Sequence, residues 1–380
     1  MQMQIQVSRL REAMKLLEPV VPSGRRVTLE ILRNVLLKDG KAAADNLEVF
    51  ALVDLPEVDT QCLIPHKAVL ELLRYIPGNQ MLTIEPNKKV ITFSWDGGKS
   101  SYPHADVKDY PPVPEFTSAS ETKIDGDALI PVLDSARDYC AAADDKRPIL
   151  QGVTIFPGEK LDVAAGDGFR MAYQTVPASL PIEKPVIIPQ GAVSILSSIW
   201  RHTTPAVTQR DSLIGLITQK REAHFALGFT KGTTPDKLRV TFNNVTILIQ
   251  LISGTPPNFK QLIPSETPTT VRFFPAELER AAKRIKKIAL DAKTGIVRLV
   301  WTTDTMTVSA KSEDLGEVEG TIPVQADNPG KIGLNIMYLL EYLKGKDGIA
   351  TMGITGQTSP IVMRYRQSPL VLIMPMMVQW

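Results

Sequence analysis

Two glycines flank an aspartate, and an arginine follows, in the stretch AAGDGFRM, residues 164–171. Such residues could do two kinds of chemistry: glycines can cradle a phosphate, and a carboxylate beside a guanidinium can act as an acid or base. A phosphate cradle needs a longer glycine loop that opens a helix, whereas this stretch ends a predicted strand hairpin. Asp45, Asp167 and Asp304 recur at hairpin ends, without a base, a nucleophile and a stabilising group gathered around any of them. The residues therefore favour a scaffold protein, and an enzyme is the alternative.

The other residues that carry chemistry are sparse. Cys62 and Cys140 form no CxxC pair, and the four histidines show no HxxxH spacing. This pattern excludes a disulfide framework, indicates a reducing compartment, and predicts neither a metal nor a cofactor. The first residues lack the apolar core of a signal peptide, and no apolar run approaches the roughly 20 residues of a membrane span, so we expect a cytoplasmic protein.

The chain of 380 residues repeats itself, which accounts for the recurring aspartates. CLIPHKAVLELL, VIIPQGAVSILSSI and KIGLNIMYLLEYL each run a short apolar strand into an apolar helical stripe. Pro65, Pro189 and Asn335 stand at the predicted helix starts, where proline and asparagine are favoured. The segments from Ile31, Ile149 and Gly295 each read as two alternating strands joined by a polar turn.

A third recurring segment, an amphipathic helix after a short strand, opens each copy: VSRLREAMKLL, IDGDALIPVLDSA and FPAELERAAKRI. Proline-rich linkers, DYPPVPEFTSAS and IPSETPTT, separate the copies. The sequence therefore predicts an α+β protein of three equivalent domains, over residues 1–119, 120–267 and 268–380.

These motifs resemble those of the bacterial DNA polymerase III beta subunits, the sliding clamps. The likeness is collinear over essentially the whole chain and rests on ADNLEV, DVKDYPPVP, DDKRPILQGV, LDVAAGDGFRMA, PPNFKQLIP, SEDLGEVEGTIPV and LVLIMPMMV. It implies three clamp domains with two inner helices and outer antiparallel sheets each. Two chains would close head to tail into a ring around double-stranded DNA. The ring would do no chemistry and would tether a polymerase to its template.

The resemblance also implies a peptide-binding groove between the second and third domains. Its methionines could repack around varied ligands with leucine and aromatic anchors. The family often has histidine at Phe169 and arginine at Met377, so partner and inhibitor affinities are expected to differ here. The residues that carry over are Leu150, Gly166, Asp167, Gly168, Phe169, Arg170, Met171, Pro257, Gln261, Leu262, Thr358, Pro360, Leu372, Ile373, Met374, Pro375, Met376 and Met377.

Basic residues that could face DNA are concentrated on the helix ELERAAKRIKKIA, which carries its charges on one face and apolar residues on the other. Net charge is only +2, so any DNA contact must come from such local patches rather than from the whole chain. The predicted DNA-facing residues are Arg280, Lys283, Arg284 and Lys287 on this helix, with Arg26, Lys146, Arg147 and Arg201 elsewhere.

For the homodimer, the resemblance places Ile288 and Leu290 on one side of the seam and the strand through Ser100 and Tyr102 on the other. A phenylalanine frequent in the family near Ser100 is missing, which predicts a weaker dimer. The implied partners are the polymerase III alpha subunit, other clamp-motif peptides, a clamp loader and nucleoid DNA. A clamp-fold accessory or resistance copy that binds peptides without encircling DNA is the second alternative.

Overall fold

The computed structural model describes residues 2–24, 27–180, 182–203, 221–228 and 235–378. Contacts divide the chain into two compact units. The first unit comprises Met1–Asp134, Pro157–Leu161 and Pro177–Ser253, and the second comprises Ser135–Phe156, Asp162–Val176 and Gly254–Trp380.

One order of elements, a strand, a helix, four strands, a helix and three strands, occurs three times along the described chain. The first run is β1 (Met3–Gln6), α1 (Val7–Leu17), β2 (Asn34–Lys38), β3 (Lys41–Asp45), β4 (Val49–Asp54), β5 (Cys62–Pro65), α2 (His66–Tyr75), β6 (Met81–Pro86), β7 (Val90–Trp95) and β8 (Gly98–Pro103). The second is β9 (Ser118–Asp125), α3 (Gly126–Arg137), β10 (Gly152–Phe156), β11 (Leu161–Gly166), β12 (Arg170–Val176), β13 (Val186–Pro189), α4 (Gln190–His202), β14 (Glu222–Gly228), β15 (Lys237–Phe242) and β16 (Val245–Gln250). The third is β17 (Thr269–Phe273), α5 (Pro275–Asp291), β18 (Ile296–Trp301), β19 (Thr305–Ser312), β20 (Gly316–Ala326), β21 (Gly330–Asn335), α6 (Ile336–Leu343), β22 (Ala350–Ile354), β23 (Ile361–Arg364) and β24 (Leu370–Ile373).

The sheets of the first unit are antiparallel in their pairings. One has the strand order β1-β6-β7-β8, and the other has β5-β2-β3-β4-β16-β15-β14-β9. Strand β4 pairs with β16, with Phe50 opposite Leu248. This pair joins a strand of the first run to the last strand of the second run.

The second unit carries the strand order β10-β11-β12-β24-β23-β22-β17-β20-β19-β18-β21. Here β12 pairs antiparallel with β24, with Met171 opposite Leu372, so a strand of the second run meets the last strand of the third. The long strand β20 pairs with β19 along its first part and with β17 near its end. The two seams, β4 with β16 and β12 with β24, therefore use equivalent strands of successive runs.

Helix α5 shows why these sequences fold locally as they do. Leu278, Ala282 and Ile285 recur at spacings of three and four and are buried in the main core of the second unit. Helix α6 begins after Asn335, whose side chain accepts a hydrogen bond of 2.8 Å from the backbone N–H of Met337, which confirms it as the N-cap. Pro65 and Pro189 end strands β5 and β13, and their helices begin one residue later than the pattern suggests.

No helix among the described residues is both long enough and apolar enough to pass through a bilayer.

Candidate functional site

The stretch AAGDGFRM forms the turn between β11 and β12, and its aspartate holds the turn together. Asp167 Oδ1 accepts hydrogen bonds from the backbone N–H groups of Phe169 (2.8 Å) and Arg170 (2.9 Å). Gly168 has a φ of +95°, a conformation that favours glycine, and a Cβ there would lie 2.7 Å from Nη1 of Arg147, which would have to shift. The turn presents Phe169 at its tip with 61% of the residue exposed. We call residues 166–170 the Phe169 turn.

The Arg170 side chain points inward, with only 10% of its surface exposed. Its Nε donates to Asp167 Oδ2 at 3.1 Å, its Nη1 donates to Glu341 of α6, and its Nη2 donates to the Asp138 carbonyl at 3.1 Å. The guanidinium also lies 4.5 Å from the ring centre of Tyr338 and 5.2 Å from that of Tyr139. Burial raises the pKa of Tyr139 to about 12.

Beneath the turn lies a small apolar cluster in the second unit. It brings together the predicted residues Leu150, Met171 and Leu372, each less than 7% exposed, around Phe259. A Cβ on Gly166 would lie 2.9 Å from Cε1 of Phe259, so this glycine is needed because an aromatic side chain approaches it closely. The cluster consists of Ala141, Leu150, Ala164, Met171, Tyr173, Phe259 and Leu372.

Large apolar side chains of the second unit remain exposed among the predicted groove residues. The exposed fraction is 53% for Leu262, 40% for Met374 and 85% for Met377, in addition to Phe169. Gln261 and Thr358 are also exposed, and Pro257, Pro360, Pro375 and Met376 are half-buried. Ile373 is fully buried in the main core, so its side chain is not offered to a ligand.

The segment after β24, residues 374–378, is fixed by backbone hydrogen bonds at two points. The N–H of Met374 donates to the Phe169 carbonyl at 2.8 Å, and the N–H of Met376 donates to the Gly333 carbonyl at 2.8 Å. A Cβ on Gly333 would lie 2.2 Å from Cγ2 of Val378, so the glycine leaves space for this segment beside β21. We call residues 374–378 the C-terminal segment.

Reasoning from the sequence did not single out Tyr139, Phe259, Tyr338 and Glu341 as site residues. Phe259 lies in the quoted motif PPNFKQLIP, and the spacing of three between Tyr338 and Glu341 puts both on one face of α6. That spacing is the sequence signal that could have identified Tyr338 and Glu341 as a pair. Tyr139 offers no local signal, because its neighbour Arg170 is far away in the sequence.

The predicted DNA-facing residues fall into different environments. Arg280, Lys283, Arg284 and Lys287 are all exposed along one face of α5, with Glu279 2.8 Å from Lys283. Lys146 and Arg201 are exposed, with Arg201 3.9 Å from Asp134. Arg26 lies outside the described residues.

Arg147 is engaged within the protein. Its Nη2 lies 2.9 Å from Asp145 Oδ2, and it also donates to the Asp167 carbonyl at 2.9 Å. Hydrogen bonds from Arg147 lower the pKa of Asp145 to about 2. The Arg147 guanidinium therefore helps to hold the Phe169 turn. Because it is paired with Asp145, its charge is less available to DNA than the sequence suggests.

Of the predicted dimer residues, Ser100 and Tyr102 are half-buried on β8, the outer strand of its sheet. The ring of Tyr102 packs edge-on against Phe93 at 5.7 Å. On α5, Leu290 is 45% exposed, whereas Ile288 is 9% exposed and belongs to the core.

The recurring carboxylates close turns. Asp45 is 5% exposed and accepts the N–H of Leu47 at 2.7 Å, as Asp167 accepts that of Phe169. Asp304 is not their equivalent: it lies in the turn between β18 and β19, where it accepts the Thr302 hydroxyl at 2.8 Å, and Ser312 stands at the equivalent place between β19 and β20. In the described part of the chain, no three histidine, cysteine, aspartate or glutamate side chains lie close enough together to hold a metal ion.

Known proteins match this chain in sequence and in fold. Residues 260–377 match the model of the family "DNA polymerase III beta subunit, C-terminal domain". The beta sliding clamp of Caulobacter vibrioides is 24% identical over 364 residues, covering 90% of this chain and 89% of that protein. The beta sliding clamp of Synechococcus elongatus is 23% identical and covers 79% of this chain and 76% of that protein.

The DNA polymerase III beta subunit of Pseudomonas aeruginosa superposes with a TM-score of 0.84 at 21% identity, covering 100% of both chains. That of Thermotoga maritima gives 0.83 at 17% identity, again over 100% of both chains. The resemblance that the motifs indicate is therefore confirmed: this chain is similar over its length to the DNA polymerase III beta subunits, the sliding clamps, and it has their α+β fold of antiparallel sheets and few helices.

Proposed function

We propose that the protein is a DNA sliding clamp: a homodimeric ring that encircles duplex DNA and tethers a replicative polymerase without catalysing a reaction. The observation that carries this proposal is the order of elements, which occurs three times in a chain whose fold matches DNA polymerase III beta subunits end to end. That order supports three equivalent domains, which we propose over residues 1–119, 120–267 and 268–380. Such a protein would act in the cytoplasm, on nucleoid DNA.

The strand pairings support a closed ring of two copies. In each seam within the chain, the fourth strand of one run (β4, β12) pairs with the last strand of the following run (β16, β24). Two strands at equivalent places in their runs take part in neither seam. They are β20, the fourth strand of the third run, and β8, the last strand of the first run. Beyond their pairing with β19 and β7, neither Gly316–Thr321 nor β8 pairs with another described strand. We assign β20 of one copy and β8 of the other to the same kind of seam. Because the contact is head to tail, it would form twice and close.

Charge on the two edges is complementary. Glu317 and Glu319 are exposed on β20, and Lys99 is exposed on β8. Opposite charges across paired strands stabilise the pair modestly, by roughly 0.2–1 kcal/mol each. Exposed Leu290 can add apolar contact beside this seam.

We expect a dimer of twice 41.8 kDa at micromolar concentration that dissociates measurably towards nanomolar concentration. The seam lacks a large apolar side chain at Ser100, which limits its strength. Sedimentation velocity over this range measures both states. Reversing Glu317 and Glu319 to lysine should shift dissociation to higher concentration, and Glu313→Lys, an exposed change outside the edge, should not. A monomer at every concentration would contradict the ring.

The exposed face of α5 supports contact with DNA through phosphates. Its basic side chains project opposite the buried apolar stripe, so they can approach a polyanion without disturbing the core. Contacts of this kind read no sequence and let a protein slide. Modest charge suffices, because a closed ring holds DNA by topology rather than by affinity.

The exposed apolar residues of the predicted groove support the tethering role. Aromatic and flexible side chains are offered by Phe169, Leu262, Met374 and Met377, and Met171, on the strand after the turn, belongs to the apolar cluster around Phe259. Short peptides with leucine and aromatic anchors suit such a surface. The polymerase III alpha subunit, other clamp-motif proteins and the clamp loader are the proposed peptide donors.

The function is tested by primer extension on singly primed circular single-stranded DNA with the cognate polymerase and clamp loader. Under a heparin trap that limits each polymerase to one binding event, we expect long products only when this protein is present. Equal product lengths with and without the protein would overturn the proposal. Heat-inactivated protein is the control for non-specific stimulation.

A further inference from the structure

The Phe169 turn is closed by its own arginine. Both oxygens of Asp167 are occupied: Oδ1 accepts the backbone N–H groups of Phe169 and Arg170, and Oδ2 accepts Nε of Arg170 at 3.1 Å. The Arg170 side chain therefore fixes the orientation of the carboxylate on which the turn is built. Any rotation of Arg170 would release one side of that carboxylate.

Arg170 is in turn held from outside the turn. Helix α6 supplies the Glu341 carboxylate and the Tyr338 ring, and the residues after α3 supply the Asp138 carbonyl and the Tyr139 ring. A guanidinium that is hydrogen-bonded to a carboxylate and packed against aromatic rings has little freedom to move. A continuous set of contacts thus runs from α6 through Arg170 and Asp167 to Phe169.

Two equivalent turns in the same chain form without such an arginine. In the first run, Asp45 accepts the N–H of Leu47, and Glu48 occupies the position of Arg170. In the third run, Ser312 Oγ accepts the N–H groups of Asp314 and Leu315. Each of these turns also exposes its apolar tip residue, 51% for Leu47 and 45% for Leu315. Folding of this turn therefore does not require the arginine.

We infer that Arg170 is a positioning residue for peptide binding: anchored by Glu341 and Tyr338 of α6, it fixes the turn so that the exposed Phe169 ring is presented in one orientation. This inference rests on the proposed peptide-binding function of the same surface. A side chain that is ordered before its partner arrives loses less conformational freedom on binding. The arginine thereby strengthens binding through Phe169, without itself being exposed to the peptide.

A double-mutant cycle between Glu341→Gln and Phe169→Ala tests this coupling. Glu341 is half exposed, so its isosteric replacement should leave the fold intact, which thermal unfolding verifies. The probe is a fluorescein-labelled octapeptide with a central leucine and phenylalanine, and the same peptide with both replaced by alanine is its control. Fluorescence anisotropy gives Kd for the wild type, both single variants and the double variant.

We expect Glu341→Gln to raise Kd about 3- to 10-fold in the wild type but less than about 1.5-fold in the Phe169→Ala background. Amide hydrogen exchange at Phe169 and Arg170 should also accelerate in Glu341→Gln. Glu159→Gln, which changes an exposed carboxylate in the turn between β10 and β11, at the other end of β11 from the Phe169 turn, should alter neither Kd nor exchange.

The outcomes separate the inference from the function on which it rests. If the wild type binds the octapeptide but the two effects multiply, or if Glu341→Gln leaves Kd and exchange unchanged, the positioning role of Arg170 is wrong while the groove stands. If the wild type does not prefer the octapeptide over its alanine control, the groove itself is wrong, and the inference fails with it.

Discussion

Deleting residues 374–380 is expected to raise the Kd for the leucine–phenylalanine octapeptide at least about 30-fold while the protein still folds. The deletion removes Met374, Met376 and Met377, and with Met374 it removes the hydrogen bond that fixes the Phe169 carbonyl. Interface residues of this kind contribute about 2 kcal/mol or more in favourable cases, and about 1.4 kcal/mol corresponds to tenfold in affinity. The core should persist, because Ile373 and the other buried residues of β24 remain.

Two variants distinguish loss of the binding surface from unfolding of the protein. Gly333→Val keeps every residue of the C-terminal segment but places a side chain where Val378 lies, so it should weaken binding nearly as much as the deletion. Met377→Ala removes one side chain that is 85% exposed and should raise Kd only about threefold. Wild-type affinity in the deletion variant would show that the methionines play no part in the groove.

The repeated architecture could be predicted because it depends on local patterns. Alternating strands, amphipathic helices and the helix start at Asn335 each involve residues close in sequence. The turn built on Asp167 is also local, since its bonds reach only two and three residues ahead. Repetition then strengthened each weak signal by showing it more than once.

Part of the candidate site could not be predicted, because it depends on contacts between distant segments. Arg170 was expected among the groove residues, yet its side chain is only 10% exposed and is bonded to Glu341, 171 residues away. The basic character of Arg147 is obvious in the sequence, but its donation to the Asp167 carbonyl is not. The resemblance placed Ile288 in the dimer seam, whereas its side chain is 9% exposed and belongs to the core.

We expect this protein, once loaded, to remain on circular DNA and to leave it when the circle is cut. A ring that surrounds the duplex cannot dissociate from a circle without opening, whatever the strength of its phosphate contacts. Sequence-blind contacts lose affinity steeply as salt rises, whereas a topological link does not. Retention on circles at high salt therefore distinguishes encirclement from ordinary binding.

Variants on the basic face of α5 distinguish the contribution of phosphate contacts from that of encirclement. Changing Arg280, Lys283, Arg284 and Lys287 to glutamine removes charge from an exposed face without touching the buried stripe. We expect slower loading and a shallower salt dependence of loading, by up to about one unit of slope for each phosphate that the variant no longer neutralises. Clamps that have loaded should still stay on circles and leave linear DNA. Loss of retention on circles would instead mean that charge alone holds the protein.

The most direct measurement loads the labelled protein onto a nicked circular plasmid with a clamp loader and ATP, and isolates the complex by gel filtration at high salt. Half of the sample is then cut once by a restriction enzyme and passed through the column again. We expect the label to co-elute with the uncut circles and to separate from the cut DNA. Label that stays with linear DNA, or that never remains on circles, would contradict encirclement.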